Sequence, residues 1–290
     1  MPTNLPAKGT QPEGAQTEAD ASRKVREMFT QIAPSYDALN HILSLQLDRL
    51  WRARTAKRLR PILQRKDAVV LDLCCGTGDL SLALRAASKS KARIFGADFA
   101  HTMLTRARAK SLHAASPSTT KKDEHVIPSE ARNPLFSESH AAGPQSSTGH
   151  TAEPLPLVEA DALRLPFADQ SFDLVTTAFG FRNLANYESG LREIHRILKP
   201  GGTIAILEFT EPPAGPLGNL YRWYFRRVLP RIGGWLSGDS TAYTYLPKSV
   251  SRFFRPPELA SLMSAVGYQS VSFKSWTFAT VALHTATRAH

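Results

Sequence analysis

Short apolar runs alternate with segments of helical periodicity along most of the chain. This alternation favours an α/β fold with a mostly parallel sheet and helices on both faces, because each parallel pair of strands needs a helical crossover. The last two apolar runs have no helix between them, which predicts an antiparallel hairpin at the sheet edge. The strand-like runs cover residues 68–73, 92–97, 157–160, 172–178, 203–209, 270–276 and 279–287, and the helical segments cover 80–84, 102–112, 187–198 and 257–266.

Two further helices are predicted before the first strand. Apolar side chains recur at helical spacing between Ser22 and Pro34, and a second amphipathic stretch covers residues 46–59. Two polar segments lack such periodicity and are too poor in apolar side chains to offset the entropy of ordering. The predicted organisation is therefore a disordered tail over residues 1–20 and a single domain over 21–290, interrupted by a flexible insertion at about 114–156.

The composition of the chain indicates in which cellular compartment the protein resides and which classes of partner it could bind. No apolar run reaches the roughly 18 residues of a membrane-spanning helix, and no secretory signal is present, so we expect a cytoplasmic protein. The only cysteines, Cys74 and Cys75, are adjacent and poorly placed for an ordinary disulfide, which fits a reducing compartment. The net charge of +11 predicts attraction to nucleic acid, anionic lipid or acidic substrates, and charge alone does not choose among them.

A glycine turn after the first strand indicates a nucleoside site. Gly76 and Gly78 let a ligand approach the backbone, and the following helix directs its N-terminal N–H groups there. Asp98 ends the second strand, where a carboxylate can accept hydrogen bonds from both ribose hydroxyls. The alternative is a tight turn with a buried acidic partner.

Two features of the sequence distinguish a dinucleotide cofactor from S-adenosylmethionine. Dinucleotide-binding turns continue to a third glycine or alanine, whereas Ser81 stands there in this chain. Asp161 resembles the acidic position that S-adenosylmethionine enzymes place beside adenine. The turn that begins at Lys199 is similar to the one before their fifth strand. The resemblance is to class I methyltransferases, and it implies S-adenosyl-L-methionine as cofactor.

Further blocks resemble the ubiquinone/menaquinone biosynthesis C-methyltransferase family. The resemblance implies a Rossmann-like class I fold whose seven-stranded, mostly parallel sheet has an antiparallel last strand. It implies methylation of demethylmenaquinol to menaquinol, or of 2-polyprenyl-6-methoxy-1,4-benzoquinol in ubiquinone biosynthesis. The blocks are Met28-Phe29-x-x-Ile32-Ala33-x-x-Tyr36-Asp37-x-x-Asn40, Ser44 with Arg49-x-Trp51, Phe179-Gly180-Phe181-Arg182-Asn183, Leu207-Glu208-Phe209, Tyr243-x-Tyr245-Leu246-x-x-Ser249-Val250 and Val281-Ala282-Leu283-His284.

The chain departs from the family pattern at three positions. Gln46 and Asp48 stand where the family commonly has Gly and His, and Ala178 stands where relatives often have Ser. The first two positions belong to the stretch that could contact the acceptor. The third departure, Ala178, removes one hydroxyl that could make a contact.

A cation near the developing phenolate would lower the barrier to ring methylation, and Arg182 is the first candidate. The alternative is a structural arginine that binds backbone carbonyls. Tyr36, Asp37 and Asn40 are interpreted as a polar lid or as groups that orient the quinol, with helix capping as the alternative for the last two. The predicted catalytic residues are Tyr36, Asp37, Arg182 and Asn183, the predicted cofactor-binding residues are Asp72, Gly76, Thr77, Gly78, Asp98, Phe99, Asp161, Ala162 and Ala178, and no metal site is predicted.

Other polar or reactive side chains have simpler interpretations. His284 lies in an apolar run and is interpreted as a core histidine. His195 lies beside Arg192 and Arg196 on a predicted helix and is expected to face solvent. Cys74 and Cys75 lack metal-ligand spacing and are interpreted as small packing residues near the cofactor.

Two basic segments predict contact with an anionic membrane surface. Residues 49–66 contain eight Lys or Arg and no acid, and residues 221–231 interleave four Arg with aromatic side chains. A prenylated quinol resides in the bilayer, so we expect peripheral contact at the inner face of the cytoplasmic membrane. The alternative is a charged helix face with ordinary core aromatics. The sequence leaves open whether the protein is a homo-oligomer.

Two rival functions remain to be weighed. A nucleic-acid methyltransferase would suit the charge, but the chain has neither an Asn/Asp-Pro-Pro-Tyr motif nor a Pro-Cys pair, so no nucleic-acid partner is expected. A nicotinamide-dependent or purely binding module could share the fold. Cofactor binding and turnover distinguish these from the methyltransferase.

Overall fold

The computed structural model describes residues 9–34, 36–37, 44, 46–115, 153–211, 215, 218, 223 and 241–290. Asn40, most of the predicted insertion and all of the 221–231 segment except Trp223 lie outside these residues. The elements in chain order are α1 (Glu18–Ile32), α2 (Leu47–Arg58), α3 (Arg60–Leu63), β1 (Val69–Leu73), α4 (Asp79–Ser88), β2 (Arg93–Asp98), α5 (His101–Ala115), β3 (Leu157–Glu159), β4 (Phe172–Ala178), a 3₁₀ helix (Phe181–Asn183), α6 (Tyr187–Ile197), β5 (Leu198–Phe209), α7 (Thr241–Arg252), α8 (Pro256–Val266), β6 (Tyr268–Trp276) and β7 (Val281–Arg288).

The strands form one 7-stranded sheet in the order β3-β2-β1-β4-β5-β7-β6. The first five strands pair in parallel, and β7 lies between β5 and β6 and is antiparallel to both. The predicted fold class is therefore confirmed, including the terminal hairpin. Because parallel strands share one direction, the carboxyl ends of β1, β2, β4 and β5 meet at a single edge, where ligands of open α/β sheets bind.

Alternate residues of the central strands face two separate cores. Leu71 and Val175 pack in the core that contains α6 and α8 side chains such as Leu191 and Leu259. Their neighbours on the strands face the other core, as Val70 does beside Trp51 and the residues of α2, α3 and α4. This period of two places helices on both faces of the sheet and leaves its edges free for loops.

The predicted boundary of the N-terminal tail is too late. Helix α1 begins at Glu18, and Thr17 caps it by accepting a hydrogen bond from the Asp20 N–H. Before the helix, the Thr10 N–H donates to the Leu184 carbonyl over 2.8 Å. Residues from Gly9 onward therefore have defined contacts, because backbone bonding and a polar cap stabilise this segment without an apolar pattern.

Strand β5 begins earlier than residue 203, where apolar patterning predicts it. Helix α6 ends at Ile197, and the following Lys-Pro-Gly-Gly turn lies inside β5 as an irregularity in its pairing with β4. Gly201 has a φ of 72°, which a bulge of this kind requires. The segment that the sequence marks as a helix stop is thus part of the strand.

Gln46 is strained at the start of α2, because its φ is 65° and it provides no side-chain cap. We expect Gln46→Gly to raise the free energy of unfolding by about 1 kcal/mol, since glycine adopts this conformation without Cβ strain. Urea denaturation measures the change. Ala53→Gly, at an exposed position inside the same helix, is the matched control and should lower the stability by about 1 kcal/mol. A Gln46→Gly protein less stable than the parent would contradict the assignment of strain.

A search of the described helices for a membrane span finds none of sufficient length and apolar character.

Candidate active site

The turn between β1 and α4 leaves open space in front of its backbone. Gly76 and Gly78 have φ values of 55° and 83°, in the left-handed region that favours glycine. A Cβ on Gly78 would lie 3.1 Å from the Cβ of Ala107, so this glycine allows close packing against α5. A Cβ on Gly76 would have its nearest contact 3.8 Å away, at Tyr36. Gly76 therefore keeps the backbone accessible to a ligand.

Asp98 lies at the carboxyl end of β2 and is buried beside this turn. Its Oδ2 accepts a hydrogen bond from the Gly76 N–H, and its Oδ1 accepts one from the Ala100 N–H, each over 2.9 Å. Burial raises the pKa of Asp98 to about 6. The carboxylate thus holds the glycine turn and the start of α5, and a carboxylate has further lone pairs for a ligand.

Asp72, predicted to contact the cofactor, lies behind the turn instead of in the cavity. Its side chain is fully buried and accepts hydrogen bonds from the hydroxyls of Ser81 and Thr176 over 2.6 and 3.0 Å. Burial raises the pKa of Asp72 to about 7. The geometry therefore supports a role in bracing β1 against α4 and β4.

An ionic network, which also corrects the predicted contacts of Thr77 and Asp37, surrounds the outer side of the turn. The Thr77 hydroxyl donates to Asp37 over 2.5 Å, and the Lys110 ammonium lies 2.7 Å from both Asp37 and Asp79. Arg52 of α2 reaches Asp79 over 3.1 Å. These pairs tie the segment after α1, through Asp37, to the glycine turn and to α5.

A solvent-open cavity of about 640 Å³ lies at the carboxyl edge of the sheet. Its lining combines predicted residues with several that sequence reasoning did not select. The predicted residues on its wall are Tyr36, Gly76, Asp98, Phe99, Asp161, Ala162, Ala178 and Asn183, whereas Asp37, Asp72, Thr77, Gly78 and Arg182 are not part of the lining. The residues that were not predicted are Ser22, Leu73, Met103, Ala160, Leu163, Leu184 and Ala185, together with Phe29, Phe179 and Gly180, which the motif blocks contain without an assigned role in binding, and Cys74, which was interpreted as a packing residue near the cofactor.

One wall of the cavity is aromatic. The ring of Phe29 lies 6.0 Å from that of Tyr36 and 6.4 Å from that of Phe99, and Arg26 lies over the outer face of Phe99. Helix α1, the segment after it and the end of β2 supply these side chains. An apolar wall of this kind suits a flat ring, and the Tyr36 hydroxyl adds a polar group to it.

Asp161 and Ala162 follow β3 and form another part of the wall. The Ala160 N–H donates to the Asp98 backbone carbonyl over 3.0 Å, which joins this loop to the end of β2. Asp161 is exposed, and its Oδ1 accepts a hydrogen bond from the Leu163 N–H over 2.9 Å. Two carboxylates, one buried and one exposed, therefore face the same cavity from adjacent strand ends.

Arg182, the first candidate for electrostatic catalysis, is buried behind the cavity wall. Its guanidinium donates to the Phe179 carbonyl, to Glu208 over 2.8 Å and to the Ser249 hydroxyl over 3.3 Å. Burial lowers its pKa, but the Glu208 carboxylate, together with Tyr245 and Tyr36, more than offsets this effect and holds the pKa of Arg182 above its ordinary value. The side chain is charged and paired with Glu208, which favours the alternative of a structural arginine.

Asn183 reaches the cavity directly from the 3₁₀ helix. Its Oδ1 accepts a hydrogen bond from the Tyr245 hydroxyl over 3.0 Å, and Tyr245 also bonds to the hydroxyl of Thr10 over 2.9 Å. The Asn183 amide donates to the Phe179 carbonyl over 3.4 Å. Residues from both ends of the chain thus fix the orientation of this amide.

The histidines and cysteines take the packing roles expected of them, apart from His195. His284 is buried and its Nε2 bonds to the Pro256 carbonyl over 3.0 Å. His195 is half-buried against the Tyr268 ring rather than fully solvated. Burial raises the pKa of both cysteine thiols, so they are neutral, and Cys74 lines the cavity. Across the described ranges no cluster of three or more His, Cys, Asp or Glu could hold a metal ion.

Solved structures share this fold at low sequence identity. The crystal structure of the [4+2]-cyclase SpnF has a TM-score of 0.60 and 15% identity, over 97% of this chain and 99% of that one. A SAM-dependent methyltransferase from Thermotoga maritima, described as a possible histamine N-methyltransferase, has a TM-score of 0.55 and 17% identity, over 90% of this chain and 99% of that one. These similarities establish the architecture alone.

Curated relatives are more similar in sequence. The demethylmenaquinone methyltransferase of Thermus thermophilus is 41% identical over 90% of this chain and 100% of its own length. That of Deinococcus radiodurans is 40% identical over 89% of this chain and 90% of its own length. The ubiquinone/menaquinone biosynthesis C-methyltransferase UbiE of Geobacter sulfurreducens is 35% identical, with 92% of this chain and 89% of the relative aligned.

A protein-family model matches nearly the whole chain, over residues 16–126 and 141–288. The unmatched segment inside the chain, 127–140, is shorter than the predicted insertion. The matched parts contain the glycine turn, the Phe179 to Asn183 block and the terminal hairpin. The resemblance inferred from the motifs is confirmed, and the chain belongs to the ubiE/COQ5 methyltransferase family.

Proposed function

We propose that this protein transfers a methyl group from S-adenosylmethionine to a ring carbon of demethylmenaquinol, producing menaquinol. One observation carries the proposal: residues of the glycine turn and of the Phe179 to Asn183 block, both of which lie in the part of the chain that the family model matches, line a single cavity. S-adenosylmethionine is the cofactor, as in the SAM-dependent methyltransferases with this fold. The chain is an enzyme of quinone biosynthesis, and the rival functions have no support from its relatives.

The cavity suits the cofactor in both shape and chemistry. Gly76 leaves its backbone open, and Asp98 faces the same space as a buried acceptor for the ribose hydroxyls. Phe99 and Ala162 offer apolar surface for adenine, and Asp161 is an acceptor for its amino group. When bound, the cofactor supplies a methyl group on a positively charged sulfur, which is already an activated electrophile.

The protein therefore has to bind, align and exclude water from the reacting groups. The aromatic wall formed by Phe29, Tyr36 and Phe99 gives the quinol ring an apolar surface. The Tyr36 hydroxyl and the Asn183 amide are placed to orient the ring through its oxygen atoms. In the transfer, the ring carbon gains the methyl group, the sulfur–methyl bond breaks and the ring proton leaves to solvent.

Arg182 acts in this proposal as a positioning residue. Its guanidinium binds the Phe179 carbonyl, which the Asn183 amide also contacts. Glu208 receives the Arg182 N–H over 3.2 Å as well as the guanidinium. The ion pair between Arg182 and Glu208 thus fixes the turn that carries Asn183. Arg182 acts on the quinol only indirectly, by positioning the Asn183 amide.

The cellular location and the domain organisation that we propose for the enzyme follow from its prenylated acceptor. We place the enzyme in the cytoplasm, as one catalytic domain with its N-terminal helices, in peripheral contact with the inner face of the cytoplasmic membrane. The basic side chains of residues 49–66 support this, because all of them except Arg52 are exposed. A prenylated acceptor in the bilayer would require such contact.

Cofactor affinity should depend on pH through Asp98. Its folded pKa is about 6, and the ionised carboxylate is the form that accepts from the ribose. Affinity for S-adenosylmethionine should be constant well above that value and fall toward tenfold per pH unit below it. Calorimetric titrations between about pH 5 and pH 8 measure this. A flat profile would exclude Asp98 as the titrating acceptor.

A methyl-transfer assay tests the function. Purified protein is supplied with labelled S-adenosylmethionine and, separately, with reduced demethylmenaquinone, the methoxylated polyprenyl benzoquinol or transfer RNA. We expect label in the demethylmenaquinol product and none in RNA. Exclusive labelling of the methoxylated benzoquinol would change the acceptor, and labelling of RNA alone would overturn the proposal. Protein that binds the cofactor and methylates neither quinol would likewise contradict it.

A further inference from the structure

The turn between β6 and β7 lies at the same sheet edge as the cavity. Val281, which opens β7, pairs with Phe209 at the carboxyl end of β5. The Thr210 N–H then donates to the Thr280 carbonyl over 2.9 Å, and the Thr210 hydroxyl donates to the Ala279 carbonyl over 2.7 Å. The turn is therefore attached to the end of a strand that borders the site.

This turn has large or β-carbon-bearing residues at positions where hairpin turns normally have asparagine and glycine. The Thr280 N–H donates to the Thr277 carbonyl over 3.1 Å, and the two residues between them, Phe278 and Ala279, have φ values of 54° and 60°. A hairpin turn with two positive φ values is normally built from Asn-Gly, because larger side chains are strained there. Phe278 is nevertheless 75% exposed, more than any other large apolar side chain in the described ranges.

A basic face lies beside the turn. The Trp51 indole of α2 donates to the Thr277 hydroxyl over 2.8 Å. Leu50, the preceding residue, is an exposed apolar side chain. No acidic side chain of the described residues pairs with the seven exposed cations of residues 49–66, which extend from the start of α2 beside the turn to the loop before β1, namely Arg49, Arg54, Lys57, Arg58, Arg60, Arg65 and Lys66. We call Phe278, Leu50 and these seven cations the docking face.

We propose that the docking face binds an anionic lipid bilayer, with Phe278 inserted among the acyl chains. The inference rests on the proposed function, because a prenylated acceptor is held in a bilayer. An apolar side chain held out into solvent supplies the insertion, and unpaired cations supply attraction to anionic headgroups. The turn and the start of α2, with Leu50 and Arg49, lie at the carboxyl edge and bring the bilayer to the side of the molecule on which the cavity opens.

An aromatic cluster connects this face with the cavity. Phe179 lines the cavity, and its ring lies 4.6 Å from that of Phe209 and 6.0 Å from that of Trp51. Trp51 in turn contacts the turn through Thr277. Packed aromatic rings and the hydrogen bond from Trp51 to Thr277 thus connect the membrane-facing turn with the cavity wall.

Vesicle binding of Phe278→Asn tests the proposal. Asparagine tolerates positive φ better than phenylalanine does, so this variant should fold at least as well as the parent while losing the apolar side chain. The matched control is Leu112→Gln, which removes another exposed apolar side chain near the end of α5, at the opposite sheet edge. Cosedimentation is measured with phosphatidylcholine vesicles that contain or lack phosphatidylglycerol. We expect Phe278→Asn to weaken binding to the anionic vesicles about tenfold and Leu112→Gln to leave it unchanged.

Three outcomes would overturn the proposal. These are equal binding of Phe278→Asn and parent, equal binding to both vesicle compositions, and a changed oligomeric state in place of changed vesicle binding. The last outcome would identify a contact between copies of this chain. An assay of methyl transfer to a short-chain quinol in solution distinguishes the membrane-docking proposal from the proposed enzymatic function. Phe278→Asn should keep this activity, because the soluble quinol does not have to be taken from a bilayer. An inactive parent would count against the proposed function while leaving the vesicle result interpretable.

Discussion

Asp98→Asn is expected to weaken S-adenosylmethionine binding by roughly 100-fold. The substitution removes a buried charged acceptor and turns an amide N–H₂ toward the Gly76 or Ala100 N–H, so a donor faces a donor. Losing such a bond and leaving a buried group unsatisfied costs about 3 kcal/mol, which corresponds to that factor. Isothermal titration with the cofactor and with its demethylated product measures the change.

Glu159→Gln is the matched control for this experiment. Glu159 pairs in register with Asp98 on the neighbouring strand, but it is exposed, contacts His101 and does not line the cavity. Its substitution should leave cofactor affinity within about twofold of the parent. If both variants bind as the parent does, the carboxylate at the end of β2 has no part in cofactor binding.

Arg182→Ala is expected to lower the free energy of unfolding by about 3–5 kcal/mol and to abolish turnover. The substitution leaves Glu208 buried without its counter-ion and removes the guanidinium bond to the Phe179 carbonyl, which then keeps only the longer bond from Asn183. The turn that carries Asn183 then loses its support. Denaturation and steady-state kinetics measure the two effects, and cofactor titration should show affinity close to that of the parent, because Arg182 does not line the cavity.

The double variant Arg182→Met with Glu208→Gln separates stability from positioning. It removes both charges and keeps a side-chain oxygen for one of the two backbone N–H groups, of residues 182 and 209, that bind separate oxygens of Glu208, so part of the stability should return. We expect kcat to stay low, because the guanidinium no longer fixes the Phe179 carbonyl. Parental kcat in the double variant would show that the pair serves stability alone.

Local patterns predicted the architecture and half of the site. Gly76 and Asp98 stand at strand ends, and the end of a parallel strand is recognisable from a few neighbouring residues, so their place in the cavity followed from the sequence. The same reasoning located Asp161, Ala162 and Phe99. Strand β5 was recognised but started too late, because the proline and glycines of a bulge have the same composition as a turn.

The sequence did not predict the roles of those polar side chains whose function depends on the direction in which they point. Asp72 and Arg182 occur inside the right motifs, yet one braces the sheet and the other pairs with Glu208. The contact between Thr10 and Tyr245 joins residues 235 positions apart, and no local period predicts it. Burial and long-range partners are properties of the packed chain, so only the structure assigns them.

The connection from α5 to β3 begins and ends at the amino edge of the sheet, opposite the edge at which the cavity lies. Leu155 donates its N–H to the Ser111 hydroxyl over 2.6 Å, which holds the two ends of the crossover together. Changing the length of a connection between fixed ends alters little beyond its closure entropy, which grows slowly with length. A fluorescent protein could therefore be spliced in between residues 115 and 153 to follow the enzyme in living cells with its catalysis intact.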